Sequence, residues 1–259
     1  MWNWEAENAK AVIVIVHGAN EHHGRYRWLI EQWQTNGMNV VMGDLPGQGD
    51  VSNKSRGHIE QFDDYINEVE KWIRHASSYN LPIFLIGHSM GGTVVIRTLQ
   101  EKFSQVRGVI LSSPCLGLVH PPSKALDLVT RGLNVFCPRL RVNSGVTVNQ
   151  ATRNEEVRLA NTKDPLYIKN VSVRWYRELS NGMKQANKKV DKFPNIPLLV
   201  LQGGEDKIVN KESVFTWFNH VNNSEKVYKE YPELYHEVFN EPEREQVFNY
   251  ALAFVNNLI

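Results

Sequence analysis

Leu81–Gln100, with the sequence LPIFLIGHSMGGTVVIRTLQ, decides how the rest of the chain is understood. Its centre, Gly87-His88-Ser89-Met90-Gly91, matches the pattern G-x-S-x-G. Five residues with three free choices arise often by chance, so the flanks carry the argument. Ile83-Phe84-Leu85-Ile86 is an apolar, β-favouring run that suits a buried parallel strand. Val94, Val95, Thr98 and Leu99 then recur at helical spacing, which predicts a helix starting near Met90. A serine held in so tight a strand-to-helix turn is a nucleophile elbow. Its neighbours must be nearly free of side chains, a role suited to Gly87, Gly91 and Gly92. The helix N-terminus supplies free N–H groups for a developing oxyanion.

The pattern around this stretch repeats strand and helix. Ala11–Val16 is an uninterrupted β-favouring run ending in His17-Gly18-Ala19-Asn20, a small-residue loop at the sheet's C-terminal edge. Arg25–Gln34 has helical spacing, Met38–Met42 is strand-like, and Phe62–Ile73 is a helix with Phe62, Ile66, Val69 and Ile73 inward. Asp63 and Asp64 suit that helix's N-terminus, and Asp44 suits a cap for the Pro46-Gly47-Gln48-Gly49 turn. Val106–Ser113, Ile196–Leu201 and Glu225–Tyr231 are further strands, with helices at Lys211–Val221 and Glu243–Leu258. The rhythm predicts a mostly parallel sheet with helices on both faces. It breaks between Leu116 and Lys192, where helical patterns dominate and fourteen Lys and Arg face six Asp and Glu, a local balance of +8 in a chain of net charge +1. Residues 1–115 and 193–259 are therefore expected to form one α/β core, and 116–192 an inserted helical cap.

Serine acyl transfer needs a base to take the hydroxyl proton and an anion to hold the imidazole in one tautomer. In this architecture the chain order is Ser, then an acid, then His, each in a loop after a strand. Ser89, Asp206 and His236 fit, with Glu205 an adjacent competitor to Asp206. The N–H groups of Ala19 and Met90 are the candidate oxyanion donors. His17, His22 and His23 have no carboxylate cluster at ligand spacing, so a loop-bracing role is favoured over a metal site. The His88 side chain is expected to point away from the nucleophile. No cofactor is needed for this chemistry.

His17-Gly18-Ala19-Asn20-Glu21-His22, Gly24-Arg25-Tyr26, Gly87-His88-Ser89-Met90-Gly91-Gly92, Gly203-Gly204-Glu205-Asp206 and Tyr235-His236 together resemble the monoacylglycerol lipase and lysophospholipase branch of the α/β-hydrolases. The resemblance spans essentially the whole chain, including Gly57-His58 and, within the cap, Asp164-Pro165-Leu166. It implies a Ser/Asp/His hydrolase of lipid esters without cofactor, its triad on Ser89, Asp206 and His236 and its oxyanion donors on Ala19 and Met90. Two positions depart from that family. Gln48 stands where a histidine is usual, in a turn taken as structural, and Asn20 replaces a common glycine in the oxyanion loop.

Composition narrows the function further. A length of 259 residues gives room for a sizeable core, and the near-neutral net charge does not suggest nucleic acid. Two cysteines imply no disulfide framework and a reducing cytoplasm. The N-terminal MWNWEAENAK lacks a basic signal region and no apolar run is long enough to span a bilayer, so a soluble protein is expected, at most peripheral at a membrane. Within Ala125–Phe136 apolar residues recur at helical spacing beside Arg131, Arg139 and Arg141. That face either lines an acyl pocket with a basic edge for anionic headgroups, or packs on the main domain. The resulting expectation is a serine esterase acting on a (lyso)phospholipid. A monoacylglycerol lipase or broad carboxylesterase or thioesterase is the alternative within the enzymes, and a non-catalytic receptor on the same fold is the alternative outside them.

Overall fold

A computed structural model describes residues 1–52, 54–102 and 105–259. In chain order the first elements are β1 (Trp2–Trp4), β2 (Ala11–Val16), α1 (Arg27–Thr35), β3 (Met38–Met42), α2 (Asp63–Ser77), β4 (Ile83–His88), α3 (Met90–Glu101) and β5 (Gly108–Ser112). Then come α4 (Lys124–Phe136), β6 (Arg141–Asn143), α5 (Val148–Ala151), α6 (Glu155–Lys163), β7 (Asn170–Ser172) and α7 (Val173–Lys188). The chain closes with β8 (Leu198–Gly203), α8 (Lys211–His220), β9 (Lys226–Tyr231) and α9 (Arg244–Asn256).

Seven strands form the main sheet in the order β1-β3-β2-β4-β5-β8-β9. All its pairings are parallel except that of β1 with β3. This is the α/β-hydrolase fold. The β-branched strand β2 is buried on both faces, and its alternation sorts the helices. Val12, Val14 and Val16 meet the core built with α2, α3 and α8, whereas Ala11, Ile13 and Ile15 meet α1 and α9. Full burial of side chains such as Trp33 and Trp72 on the two faces contributes about 1.5–3 kcal/mol or more apiece. The chain leaves β2 toward β3 on one side and returns to β4 on the other, so a crevice opens at the C-terminal ends of β2 and β4.

The expected strands and helices form at nearly the expected bounds. Three features lie outside that reading: the edge strand β1, the two-stranded β6–β7 sheet, and a 3-10 turn at His23–Tyr26 where the Arg25–Gln34 helix was expected to start. The α4 face also needs correction. Leu126, Leu128, Val129, Val135 and Phe136 are exposed, Phe136 by 84 %, so this face neither lines a pocket nor packs on the core. The buried residue of the α4 helix is Thr130, while Asp127 pairs with Arg177 of α7. The charges of residues 116–192 are also partly spent internally, Arg131 on Asp127 and Arg139 on Glu60. Among the described residues no helix is long and apolar enough to cross a membrane.

Candidate active site

Ser89 sits between β4 and α3 with φ 51° and ψ −119°, a strained conformation for a residue with a side chain. The surroundings enforce it. A Cβ on Gly91 would lie 2.1 Å from the Val16 carbonyl oxygen, and one on Gly87 would lie 2.7 Å from that of Gly91. The elbow therefore packs directly against the end of β2. Ser89 opens onto a cavity lined also by Ala19, Met90 and His236. Its apolar wall includes Leu118, Val146, Trp175, Leu179, Met183 and Ile208, so the inserted segment supplies its lining through α7 and the residues before α5 rather than through α4.

His236 Nδ1 lies 2.8 Å from Asp206 Oδ2, with the two side chains only 4 % and 0 % exposed. Asp206 Oδ1 accepts the N–H groups of Ile208 and Val209, both at 2.9 Å, and Oδ2, which faces His236, also accepts Gln202 Nε2 at 3.1 Å, so the carboxylate is fixed at both oxygens. Burial opposes the Asp206 charge, but the His236 imidazole and the two N–H donors outweigh it and hold the carboxyl below its ordinary value. Burial likewise opposes charge on His236. Asp206, then Glu237 and Glu21, outweigh that effect and raise the imidazole above its ordinary 6.5. The competitor Glu205 is exposed and takes no part.

The loop after β2 is the other half of the site. Among the described residues, neither the Ala19 nor the Met90 N–H donates to a protein acceptor. Gly18 N–H does donate, to Glu21 Oε2 at 2.9 Å. Beneath the loop Arg25 bridges Glu21 (2.5 Å) and Glu237 (2.9 Å), and its Nε donates to Asn161 of α6. Burial opposes charge on Glu21, yet Arg25, then His88 and the Tyr26 hydroxyl, keep it ionised well below the ordinary carboxylate range. Glu21, His88 and Glu237 place ligand atoms within 4.8 Å of one another, a spacing open to a metal ion. The Arg25 guanidinium already supplies the cation there. This buried network joins residues up to 212 positions apart, and no spacing pattern announces it.

The histidines at and after the end of β2 brace loops. His22 pairs with Asp164, and His23 with Asp44, which thereby ties β3 to the loop besides seating the turn around it. His17 Nε2 accepts the Leu45 N–H, leaving Nδ1 to donate to the Gly18 carbonyl. The His88 ring lies 4.9 Å from that of His236, and its Nδ1 meets the Ser112 hydroxyl at 3.1 Å. Cys115 also lines the cavity, and burial, reinforced by Asp206, pushes its thiol up to about 12, so it is no nucleophile.

The sequence profile described as "Serine aminopeptidase, S33" matches residues 7–243, which is most of the chain. The chain belongs to this family. It is 53 % identical, over the full length of both proteins, to a Bacillus subtilis (strain 168) protein named phospholipase YtpA. It is 30 % identical to the Homo sapiens monoglyceride lipase, over 90 % of this chain and 77 % of that one. Among solved structures, the Paleococcus ferrophilus monoacylglycerol lipase superposes with a TM-score of 0.89 at 26 % identity, covering 100 % of this chain and 99 % of that one. The family description names a peptidase, but these relatives are named as lipid esterases. The chain is accordingly a carboxylic ester hydrolase of the monoacylglycerol lipase and lysophospholipase branch of the α/β-hydrolases.

Proposed function

We propose that the chain hydrolyses the acyl ester of a phospholipid or lysophospholipid through a Ser89 acyl-enzyme. The carrying observation is that Ser89 and the buried Asp206–His236 pair open onto one mostly apolar cavity. His236 Nε2 takes the Ser89 proton as Oγ attacks the ester carbonyl, and Asp206 holds the tautomer and stabilises the imidazolium. The Ala19 and Met90 N–H groups bind the oxyanion, a contribution of about 10²–10³ in rate for each such donor. His236 then protonates the leaving alcohol, and water, deprotonated by His236, cleaves the acyl-enzyme. No step calls for a cofactor.

Residues 116–192 act in this reading as a cap that closes the acyl pocket. The exposed Leu126, Leu128, Val129, Val135 and Phe136, with Lys124 and Arg131 on the same helix, suit transient contact with a membrane surface where such lipids lie. Such a protein works in the cytoplasm, peripheral to the bilayer, and the unpaired Cys115 and Cys137 agree with a reducing compartment. The phospholipid preference rests on the 53 % identity to a protein named as a phospholipase and on the basic cap. The monoglyceride lipases at lower identity support the second reading, hydrolysis of monoacylglycerol.

Fatty-acid release from matched lysophospholipid, diacyl phospholipid and monoacylglycerol, each against Ser89→Ala, tests the proposal. Release mainly from the phospholipids, absent in the variant, supports it. Preference for monoacylglycerol keeps the triad and discards the headgroup assignment.

A further inference from the structure

We propose that Gln48 is a positioning residue of the oxyanion loop, holding the Ala19 N–H on target and tying its aim to the cap. The inference rests on the assignment of Ala19 as an oxyanion donor. Three consecutive N–H groups follow His17. Gly18 N–H is taken by Glu21 Oε2 at 2.9 Å, and Asn20 N–H by Gln48 Oε1 at 2.9 Å, while the Ala19 N–H between them meets no protein acceptor among the described residues. The peptide planes on both sides of the donor are thus clamped by buried side chains: Gln48 is fully buried and Glu21 4 % exposed. Each of these planes shares an α-carbon with the plane that carries the donor, so releasing either clamp lets it rotate.

The clamp is needed because the loop is not relaxed. Asn20 has φ 67°, in the left-handed region that a residue with a side chain occupies at a cost. What holds Asn20 also reaches the cap. Its carbonyl accepts the N–H of Ile168 (3.2 Å), and Gln48 Nε2 lies 3.4 Å from the Tyr65 hydroxyl, which accepts Trp175 Nε1 of α7 at 2.7 Å. Trp175 itself lines the acyl cavity. An amide suits this place because one group must accept from Asn20 and donate to Tyr65 at once. A histidine, the usual residue of the resembling family at this turn, has one acceptor and one donor nitrogen and can do the same.

Hydrolysis of p-nitrophenyl butyrate by the full chain tests the proposal, alongside inhibition by a trifluoromethyl ketone whose adduct uses the same oxyanion donors. Gln48→Met keeps the length and burial but lacks the amide. It is expected to lower kcat by about 10–100-fold, less than or equal to full loss of one donor, with KM within about two-fold, as for an interaction made in the transition state. Inhibitor affinity should fall by the same factor, and Gln48→His should restore most of both. Should Gln48→Met not fold, Tyr65→Phe provides the second test, with kcat down several-fold at unchanged KM. A role in packing alone would lower the melting temperature, leave kcat and inhibitor affinity unchanged below it, and show no rescue by histidine; that result overturns the proposal. Ser89→Ala separates the two failures. If it abolishes hydrolysis while Gln48→Met retains wild-type kcat, the acyl-enzyme mechanism stands and only the positioning role falls. If Ser89→Ala stays active, both fall.

Discussion

Replacing Asp206 by Asn is the most discriminating perturbation of the buried pair, because it removes the charge and leaves the loop in place. Asp206 Oδ1 accepts two backbone N–H groups, so the asparagine oxygen keeps that position and its Nδ2 is turned toward His236. A donor now faces Nδ1, which selects the tautomer protonated on Nε2, the wrong one for accepting a serine proton. The lost electrostatic stabilisation can be bounded: opposite charges 2.8 Å apart interact by about 6 kcal/mol at an effective dielectric constant of about 20. At about 1.4 kcal/mol per tenfold in rate, that is a ceiling of about 10⁴ in kcat. The account therefore expects Asp206→Asn to lose about 10³–10⁴ in kcat on a soluble p-nitrophenyl ester, with KM and the thermal midpoint little changed. Glu205→Gln, altering an exposed neighbour, should retain full activity. An Asp206→Asn enzyme keeping more than about a tenth of kcat would refute the reasoning, because no buried carboxylate would then be orienting the base.

Other consequences follow from the same geometry. His236 must be neutral to act as a base and its imidazole is raised, so log(kcat/KM) should climb with pH along a limb centred above 6.5. Glu237→Gln removes one of the charges that raise it and should move that limb to lower pH; an unmoved limb would contradict the cause given. Gly91→Ala drives a Cβ into the Val16 carbonyl, backbone that cannot give way, and should cost about 1–3 kcal/mol or more in denaturant unfolding. Iodoacetamide at pH 8 should add one group, on exposed Cys137, and none on the buried Cys115, with activity kept. Phe136→Ser, at the tip of the exposed α4 face, should weaken sedimentation with anionic phospholipid vesicles without altering turnover of a soluble ester.

Much of the candidate site was legible because each part is a local pattern. Ala11–Val16 and Ile83–Ile86 announce strands by composition, and the three glycines around Ser89 announce a turn in which a Cβ would collide with backbone. Asp206 and His236 could be chosen because each falls just beyond a strand, and their pairing across 30 residues follows from the adjacency of β8 and β9. What escaped depends on tertiary contact. Strand β1 has three residues, too few to establish a period, and exists because β3 offers it an edge. The apolar stripe of α4 was read as lining an acyl pocket or packing on the main domain, but periodicity reports that a face exists and not what covers it. The turn containing Gln48 was read as structural, but no spacing pattern foretells that its amide bonds the loop after β2, 28 residues away. The packing of the His88 ring beside that of His236 likewise follows from tertiary contact alone.

The central claim is that Ser89 is the nucleophile. Intact-protein mass spectrometry after treatment with a fluorophosphonate, followed by peptide mapping, tests it most directly. The account predicts a single adduct, located on Ser89, with loss of hydrolysis in step with labelling and neither labelling nor turnover in Ser89→Ala. An adduct mapped to another residue, or a Ser89→Ala protein that hydrolyses esters at the wild-type rate, would contradict it.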